Sequence, residues 1–177
     1  MVTLKNEKEI SLMRQAGQVV AYVFERLKRE VRPGISGKEL DKCAEDLILE
    51  KGALPAFKGH QGFPATLCVS ANEVIVHGIP TEERLKEGDI VSLDVGAKCE
   101  GYYSDGAITL PVGEISSQAK KLIETTRKSL FKAIKEVKPG NRLSDISWAV
   151  QSFVEKEGFS VIRRFVGHGI GKEIHED

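Results

Sequence analysis

Net charge is what this sequence lacks most plainly. Lysine and arginine together number 26, as do aspartate and glutamate, so the formal net charge at pH 7 is zero. That balance gives no overall attraction to nucleic acid or to an anionic membrane. Cysteine is sparse as well: Cys43, Cys68 and Cys99 include no CxxC pair. This set argues against a disulfide framework or a zinc finger and is typical of a reducing compartment.

Long apolar runs are also missing. None is long enough to cross a bilayer, and the first ten residues, MVTLKNEKEI, lack the apolar core of a signal peptide. We therefore expect a cytoplasmic protein. What is present, 41% hydrophobic and 29% charged residues over 177 positions, is typical of a globular chain with a sizeable core.

Two amphipathic helices open the chain. The first is predicted between a capping box, Asn6 with Glu9, and a stop at Pro33-Gly34. A second capping box, Ser36 with Glu39, begins the next helix, which Gly52 ends. The apolar face of the first helix is predicted from a three-four spacing that comprises Ile10, Met13, Gly17, Val20, Phe24, Leu27 and Val31.

The same helix pair recurs later in the chain. Residues 31–52 and 137–158 align without a gap at an offset of 106, so that both begin with Val-x-Pro-Gly and both end in Gly. This similarity predicts an internal repeat, with halves 1–110 and 111–177. The alternative is that two unrelated helix pairs converged on the same stop and capping residues.

The second half is the shorter one. Between Gly52 and Leu110 the first half adds 58 residues, whereas only 19 residues follow Gly158. We therefore expect a truncated version or fragment of a longer fold; an asymmetric domain is the alternative. With strands predicted in 53–80, 89–110 and 159–167, the fold class is α+β, with helices on one face of a mixed sheet.

The segment 89–110 is predicted to form a β-hairpin that carries an acid on each arm, Asp94 and Asp105. If residues 98–101 form the loop, the two acids face each other, with Cβ atoms roughly 4.5–5.5 Å apart. Two carboxylates so close repel each other, and a divalent cation between them relieves the repulsion. Alternatively, one Asp caps a turn and the other is solvated. A one-residue slip in register would place the two acids on opposite faces.

Histidines near turns supply a further set of candidate ligands. His77 follows an extended segment, His168 lies between two glycines, and His175 follows seven residues later. Glycines allow a tight loop to present an imidazole, so Asp94, Asp105 and a histidine form a plausible mixed oxygen and nitrogen metal site. The alternative is that these histidines are structural or solvated. A phosphate-binding loop is not supported, because a Walker motif requires Ser or Thr after the Lys of GHGIGK.

These stretches together resemble the type I methionine aminopeptidases of the creatinase/aminopeptidase, or pita-bread, family. The resemblance extends over essentially all of residues 1–177. It is carried by NEVIVHGIP, GDIVSLDVGAKCEGYYSDGAITL, VKPG and EGFSVIRRFVGHGIGKEIHED. It implies one catalytic domain of two pseudo-symmetric helix-helix-strand halves around a mixed, mostly antiparallel sheet, with the second half incomplete. The lack of an additional N-terminal domain favours a short bacterial-type member.

The resemblance also implies roles for single residues. Asp94 would bind one metal ion, Asp105 would bridge two, and His168 would bind the second. His77 would contact the scissile amide, and His175 would polarise the carbonyl group. The residues that would line a methionine pocket are Phe57, Phe63, Cys68 and Ile174. The implied cofactors are two divalent ions, with Co, Mn, Fe and Zn all compatible.

The implied activity is removal of the N-terminal methionine from nascent chains whose next residue is small. In the family, two further glutamate ligands lie downstream of the position of Asp177, so weak or no activity is expected of this chain. The expected partner is a peptide or nascent chain, without nucleic acid or membrane, and the family implies a monomer. The alternatives are a non-catalytic pita-bread module that binds peptide or protein, and an Xaa-Pro aminopeptidase.

Overall fold

The computed structural model describes residues 2–177. These residues form two compact units, one containing the chain up to Ile115 together with His168–Asp177, and the other Ser116–Gly167. The first unit contains α1 (Glu7–Glu30), α2 (Gly37–Glu50), β1 (Leu54–Pro55), a 3₁₀ turn (His60–Gly62), β2 (Leu67–Ala71), β3 (Ile90–Cys99) and β4 (Tyr102–Pro111). The second unit contains α3 (Ser117–Glu136) and α4 (Leu143–Lys156). No helix among the described residues is long and apolar enough to cross a membrane.

Both predicted capping boxes are present at the starts of α1 and α2. The Asn6 side chain accepts a hydrogen bond from the Glu9 amide, and the Ser36 side chain accepts one from the Glu39 amide. In each case the glutamate carboxylate accepts a hydrogen bond from the backbone amide of the capping residue. The two bonds satisfy two of the amides that a helix start leaves unpaired.

The sheet of the first unit has β3 at its centre. One edge of β3 pairs with β4 and the other with β1 and β2, and every strand pairing among the described residues is antiparallel. The Asp41 carboxylate of α2 accepts hydrogen bonds from the amides of Thr66 and Leu67, each at 2.8 Å, and so ties the start of β2 to the helix.

Alternation along β3 separates a core face from a polar face. Val91, Leu93, Val95 and Ala97 are fully buried beneath α1 and α2, in one cluster with Val23, Leu27, Leu40 and Ile48. The intervening residues Ser92, Asp94 and Gly96 therefore face the other side of the sheet, because successive strand side chains point to opposite faces. The helices cover one face and leave the polar face for the candidate site.

Two stretches predicted as strands are not strands in the structure. After β2 the chain turns at Asn72, which has a positive φ of 52°, and Val74, Ile75 and Val76 are exposed in a loop. Residues 159–167 belong to no strand, with a bend at Arg163 and Arg164, and the described part of the second unit contains no strand at all. Apolar, β-branched composition makes a strand only where a neighbouring strand completes the hydrogen-bond ladder.

The helices of the second unit agree with the predicted repeat. The bounds of α4 are those of α2 shifted by 106 positions, and α3 ends 106 positions after α1. The glycines that follow these helices, Gly34 and Gly140, Gly52 and Gly158, all have positive φ. Left-handed backbone is accessible to glycine at little cost, so both copies end their helices in the same way. The division into a first and second half remains a prediction.

Candidate metal centre

The hairpin of β3 and β4 has a different register from the one predicted. Asp94 lies opposite Ala107, and Asp105 lies opposite Gly96, because only Glu100 and Gly101 form the turn. Both turn residues have positive φ, 47° and 85°, as a tight two-residue hairpin turn requires. The prediction that the acids face each other directly is therefore wrong.

The acids nevertheless share one face. The register differs from the predicted one by two residues, and a shift of two preserves the direction of every side chain. Asp94 and Asp105 are diagonal neighbours on the polar face of the sheet. Diagonal neighbours are typically about 7–8 Å apart. A cation between two carboxylates at this spacing can bind an oxygen of each.

Gly96 allows an aromatic ring to lie beside the acids. A Cβ atom at this position would stand 2.7 Å from a ring carbon of Phe57, closer than real contacts allow. The glycine thus lets Phe57 cross the strand at the residue opposite Asp105. Cys68 reaches the same face by pairing with Asp94 across β2 and β3.

A closed loop at 168–177 supplies two histidines. The backbones of Gly169 and Glu176 exchange two hydrogen bonds of 2.8 Å, and the Tyr103 amide of β4 donates a 2.8 Å bond to the Gly171 carbonyl. His168 and His175 adjoin this bridge, and their ring centroids are 4.4 Å apart in an edge-to-face arrangement. The loop therefore brings both imidazoles beside β4, close to Asp105.

The Glu176 carboxylate holds this loop together. It forms an ion pair with Lys5 and accepts hydrogen bonds from the amides of Lys172 and Glu173, at 2.8 and 3.3 Å. The Lys5 bond is the first of several that lower the pKa of Glu176, so the carboxylate stays charged and the loop stays anchored well below neutral pH.

Glu176→Ala is expected to accelerate amide hydrogen exchange at Gly169 and Gly171 by about tenfold or more, because three bonds to one charged group are lost. Glu173→Ala is the matched control, since its side chain is exposed and only its backbone bonds to Glu176. Equal exchange in the two variants would contradict this role for Glu176.

His168 presents a free nitrogen to Asp105. Its Nδ1 lies 2.9 Å from the Gly169 carbonyl oxygen, which can only accept, so Nδ1 carries the proton of the neutral ring. That tautomer leaves Nε2 with a lone pair, 3.9 Å from Oδ2 of Asp105. A backbone bond that fixes the tautomer in this way is the usual support of a metal-binding histidine.

Asp94 lies in an environment that disfavours its charge. Burial first, and then the negative charge of Asp105, raise the pKa of Asp94 to about 6, while His168 opposes the shift. Its Oδ1 is buried and has no hydrogen-bond partner among the described residues. A buried carboxylate oxygen without a partner is costly unless a ligand satisfies it.

A cavity of about 420 Å³ connects these residues. Its wall includes every predicted site residue, both the acidic and imidazole side chains and the apolar ones. The predicted ligands and catalytic histidines in its wall are Asp94, Asp105, His168, His77 and His175, and the predicted pocket residues are Phe57, Phe63, Cys68 and Ile174. His77 reaches the wall from the loop after β2, with a positive φ of 58°.

Cys68 lines the cavity as a neutral thiol. Burial, followed by the nearby carboxylates of Asp94 and Asp41, raises the pKa of Cys68 to about 12. The thiolate is the nucleophilic form, and it is scarcely populated at neutral pH. Cys68 is therefore suited to lining a pocket and unsuited to covalent catalysis.

One cavity residue escaped the sequence analysis. His60 lines the cavity from the 3₁₀ turn, and its ring centroid lies 5.3 Å from that of His175. The available signal was the stretch GHQG, in which a histidine is followed within two residues by a second glycine. The same reasoning that singled out His168 in GHG applied here.

The residues fit a divalent metal by their chemistry. Two carboxylates and an imidazole are a mixed donor set for such ions, and the unpartnered Oδ1 of Asp94 is a donor atom without a partner. Among residues 2–177, no three His, Cys, Asp or Glu side chains lie close enough together to hold an ion as they stand.

Comparison with known proteins identifies the family. The sequence pattern of metallopeptidase family M24 matches residues 11–177. The chain belongs to this family. Methionine aminopeptidase 1 of Bacillus subtilis is 54% identical over 177 residues, which cover the whole chain and 71% of the relative. The resemblance drawn from the sequence is confirmed.

Solved structures agree with the pita-bread fold. Methionine aminopeptidase from Thermotoga maritima superposes with a TM-score of 0.98 at 44% identity, covering all of this chain and 72% of that one. An Xaa-Pro dipeptidase from Bacillus anthracis superposes with a TM-score of 0.87 at 28% identity, covering 98% of this chain and 48% of that one. The α+β fold class is confirmed, while the fold itself is shared by both kinds of peptidase.

Proposed function

We propose that this M24 chain is a metal-dependent aminopeptidase that removes the N-terminal methionine from peptides whose second residue is small. One observation carries the proposal. A single cavity joins two carboxylates and an imidazole with an apolar wall formed by Phe57, Phe63 and Ile174. Such a cavity offers metal ligands at one part and room for an unbranched apolar side chain at another.

Asp94, Asp105 and His168 would hold divalent metal, which family M24 requires. We propose two ions, with Asp105 shared between them, and Co, Mn, Fe or Zn as the candidates. Bound metal lowers the pKa of water to near neutrality and polarises a carbonyl oxygen. The positive charge of a bound metal ion would also favour the ionised form of Asp94, whose pKa is otherwise raised to about 6.

The histidines of the cavity would orient the peptide. Burial, and then the neighbouring His168 and His60, lower the pKa of His175, so this imidazole is neutral at physiological pH. A neutral imidazole offers one donor and one acceptor and can hold a carbonyl oxygen without carrying a charge of its own. We propose that His77, which is exposed and lines the cavity, bonds the amide that is cleaved.

The apolar wall would select methionine. Phe57 and Phe63 offer ring faces and Cys68 a neutral sulfur, and a flexible thioether contacts both favourably. The small second residue, the monomeric state, the cytoplasmic location and the lack of a nucleic-acid or membrane partner remain predictions.

Release of free methionine from Met-Ala-Ser tests the proposal. The chain is stripped with chelator and assayed with each of the four metals. Release, at the weak rate expected of this chain, should occur only with metal and only from the peptide with a free amine. Asp105→Asn is the matched control and should reduce the rate by at least about a hundredfold. It removes a direct metal ligand, and loss of a residue that only supports a ligand already lowers metal affinity or activity by about 10–100-fold.

Two other outcomes would favour the alternatives. Release from Xaa-Pro peptides, with none from Met-Ala-Ser, would favour an Xaa-Pro peptidase. Binding of Met-Ala-Ser without cleavage under every metal would favour a non-catalytic module. The relatives support the aminopeptidase, because the protein that is 54% identical over the whole chain is a methionine aminopeptidase.

A further inference from the structure

His60 lies in a turn of the cavity wall that holds one residue other than glycine, Gln61, in a left-handed conformation. The backbone φ is 86° at Gly59, 47° at Gln61 and 81° at Gly62. A left-handed conformation is uncommon for a residue such as glutamine and persists only where surrounding structure holds it. Strain of this kind is concentrated at ligand-binding sites, which directs attention to the side chain that this turn presents.

The imidazole of His60 carries a polar atom that nothing in the chain satisfies. Its Nε2 is closed off from water and has no hydrogen-bond partner among the described residues. Most buried polar groups are paired, so an unpaired one calls for an explanation such as a missing ligand. The rest of the ring lines the cavity beside His175, at a centroid distance of 5.3 Å.

A half-turn of the ring would move this nitrogen out of its buried position. Rotation about χ2 of a histidine exchanges Nε2 with Cε1, and this torsion has broad, two-fold preferences. The ring carries at least one N–H whether it is neutral or protonated. In the tautomer that carries its proton on Nε2, the turned ring offers a donor to a ligand in the cavity.

The position of His60 indicates which ligand atom it meets. It belongs to the same short segment as Phe57 and Phe63, and its own amide donates to the Phe57 carbonyl at 2.9 Å. It therefore lies between His175 and the aromatic residues to which the proposed function assigns the methionine side chain. The sulfur is the only hydrogen-bond acceptor in that side chain, although a weak one.

We propose that His60 donates a hydrogen bond to the methionine sulfur and so makes the cavity select a thioether over a hydrocarbon of equal length. This inference rests on the proposed function, because it names how that pocket reads its substrate. A purely apolar pocket would not prefer methionine, since replacing sulfur with a methylene adds apolar surface, which burial favours.

Norleucine is the ligand that isolates this contact, because it differs from methionine only by a methylene in place of sulfur. Binding of L-methioninamide and L-norleucinamide to the metal-loaded chain is measured by calorimetry. Wild type should prefer methioninamide by roughly two- to tenfold, as expected of one hydrogen bond. His60→Phe keeps a ring in the turn but no donor, and should abolish or invert this preference.

Two further variants separate selection from general damage. His60→Gln keeps an N–H donor and should retain part of the preference. Phe63→Leu changes only apolar contact area in the same wall and should weaken both ligands to a similar extent. Thermal unfolding of each variant establishes that it is folded.

Equal weakening of the two ligands by His60→Phe, or an unchanged preference, would overturn the inference. The outcome is distinguishable from failure of the proposed function. If wild type cleaves neither Met-Ala-Ser nor its norleucine counterpart, the aminopeptidase proposal fails, while the binding preference still decides the role of His60. If it cleaves both and His60→Phe slows both equally, only the inference fails.

Discussion

Asp94→Asn is expected to stabilise the metal-free chain at pH 7.5 by about 2–3 kcal/mol, the free energy that corresponds to a pKa displaced by about two units. The pKa of Asp94 is raised from 3.8 to about 6, chiefly by burial. In the unfolded chain this carboxyl ionises near pH 4, so the native state binds the extra proton between these values. Its contribution to stability is therefore present below pH 4 and lost as the pH rises through 6.

Urea unfolding in the presence of chelator measures this effect at pH 4.5 and 7.5. The difference between variant and wild type should grow with pH, because Asn has no charge to bury. Asp46→Asn is the control, since Asp46 pairs with Lys42 on the exposed surface and such pairs contribute about 0–1 kcal/mol.

Metal should reverse the order of stability. An ion that binds only the native state stabilises it by mass action, and wild type should gain this stabilisation while Asp94→Asn should not. A variant that is less stable than wild type at pH 7.5 without metal would show that the Asp94 carboxylate is already satisfied within the fold. That result would remove the physical reason for a cation at this position.

The hairpin shows how much of the site could be read from its sequence. Alternation placed Asp94 and Asp105 on strands, and the even difference between the predicted and observed registers kept them on one face. The exact pairing was not predictable, because it depends on Glu100 adopting a positive φ, which its residue type does not suggest. The sheet face on which a side chain lies can therefore be predicted more reliably than the residue opposite it on the neighbouring strand.

The apolar face of α1 illustrates a similar limit. Val20 and Leu27 are buried as predicted, whereas Ile10, which fits the same spacing, is 40% exposed. The buried set also includes Ala16, Val19 and Val23. Periodicity identifies the side of a helix, but the curvature and extent of the sheet beneath it decide which turns are covered.

Convergence of the histidines could not be derived from local patterns. His60 meets His168 and His175 because the loop 168–177, far downstream of His60 in sequence, is bonded to Tyr103 of β4 through the Gly171 carbonyl. The glycine-flanked setting of His168 grouped it with the acids in advance, whereas the role of His175 came only from the resemblance to a known family. The resemblance assigned no role to His60, which is distinguished in the structure by its unpaired Nε2.

Gly78→Ala should destabilise the chain by about 3 kcal/mol or more, because overpacking against backbone cannot be relieved by a change of rotamer. A Cβ atom at this position would lie 2.1 Å from the Val69 carbonyl oxygen and 3.0 Å from the Ser70 Cα. The contact is close because the Val69 amide donates to the Gly78 carbonyl at 2.9 Å, and the Gly78 amide donates to the Ser70 hydroxyl at 3.1 Å. These bonds fasten the loop that carries His77 to the free edge of β2.

Urea unfolding measures the loss, with Gly167→Ala as the matched control, since a Cβ atom there meets nothing within 4 Å. The control should change the free energy of unfolding by no more than about 0.5 kcal/mol, as is usual for surface positions. Unchanged stability of Gly78→Ala would mean that the loop does not rest on β2.

The loop contributes to stability, and it carries His77 into the cavity wall. Activity measured on the fraction of Gly78→Ala that remains folded separates these two roles. Asp94 and Asp105 lie on β3 and β4, away from the altered edge, so metal should still stabilise the variant. Release of methionine from Met-Ala-Ser should fall by tenfold or more, because a displacement of about 1 Å in a positioning group can cost a hundredfold in rate. Loss of metal stabilisation together with activity would instead indicate that the whole sheet is disturbed and that His77 has no separate role.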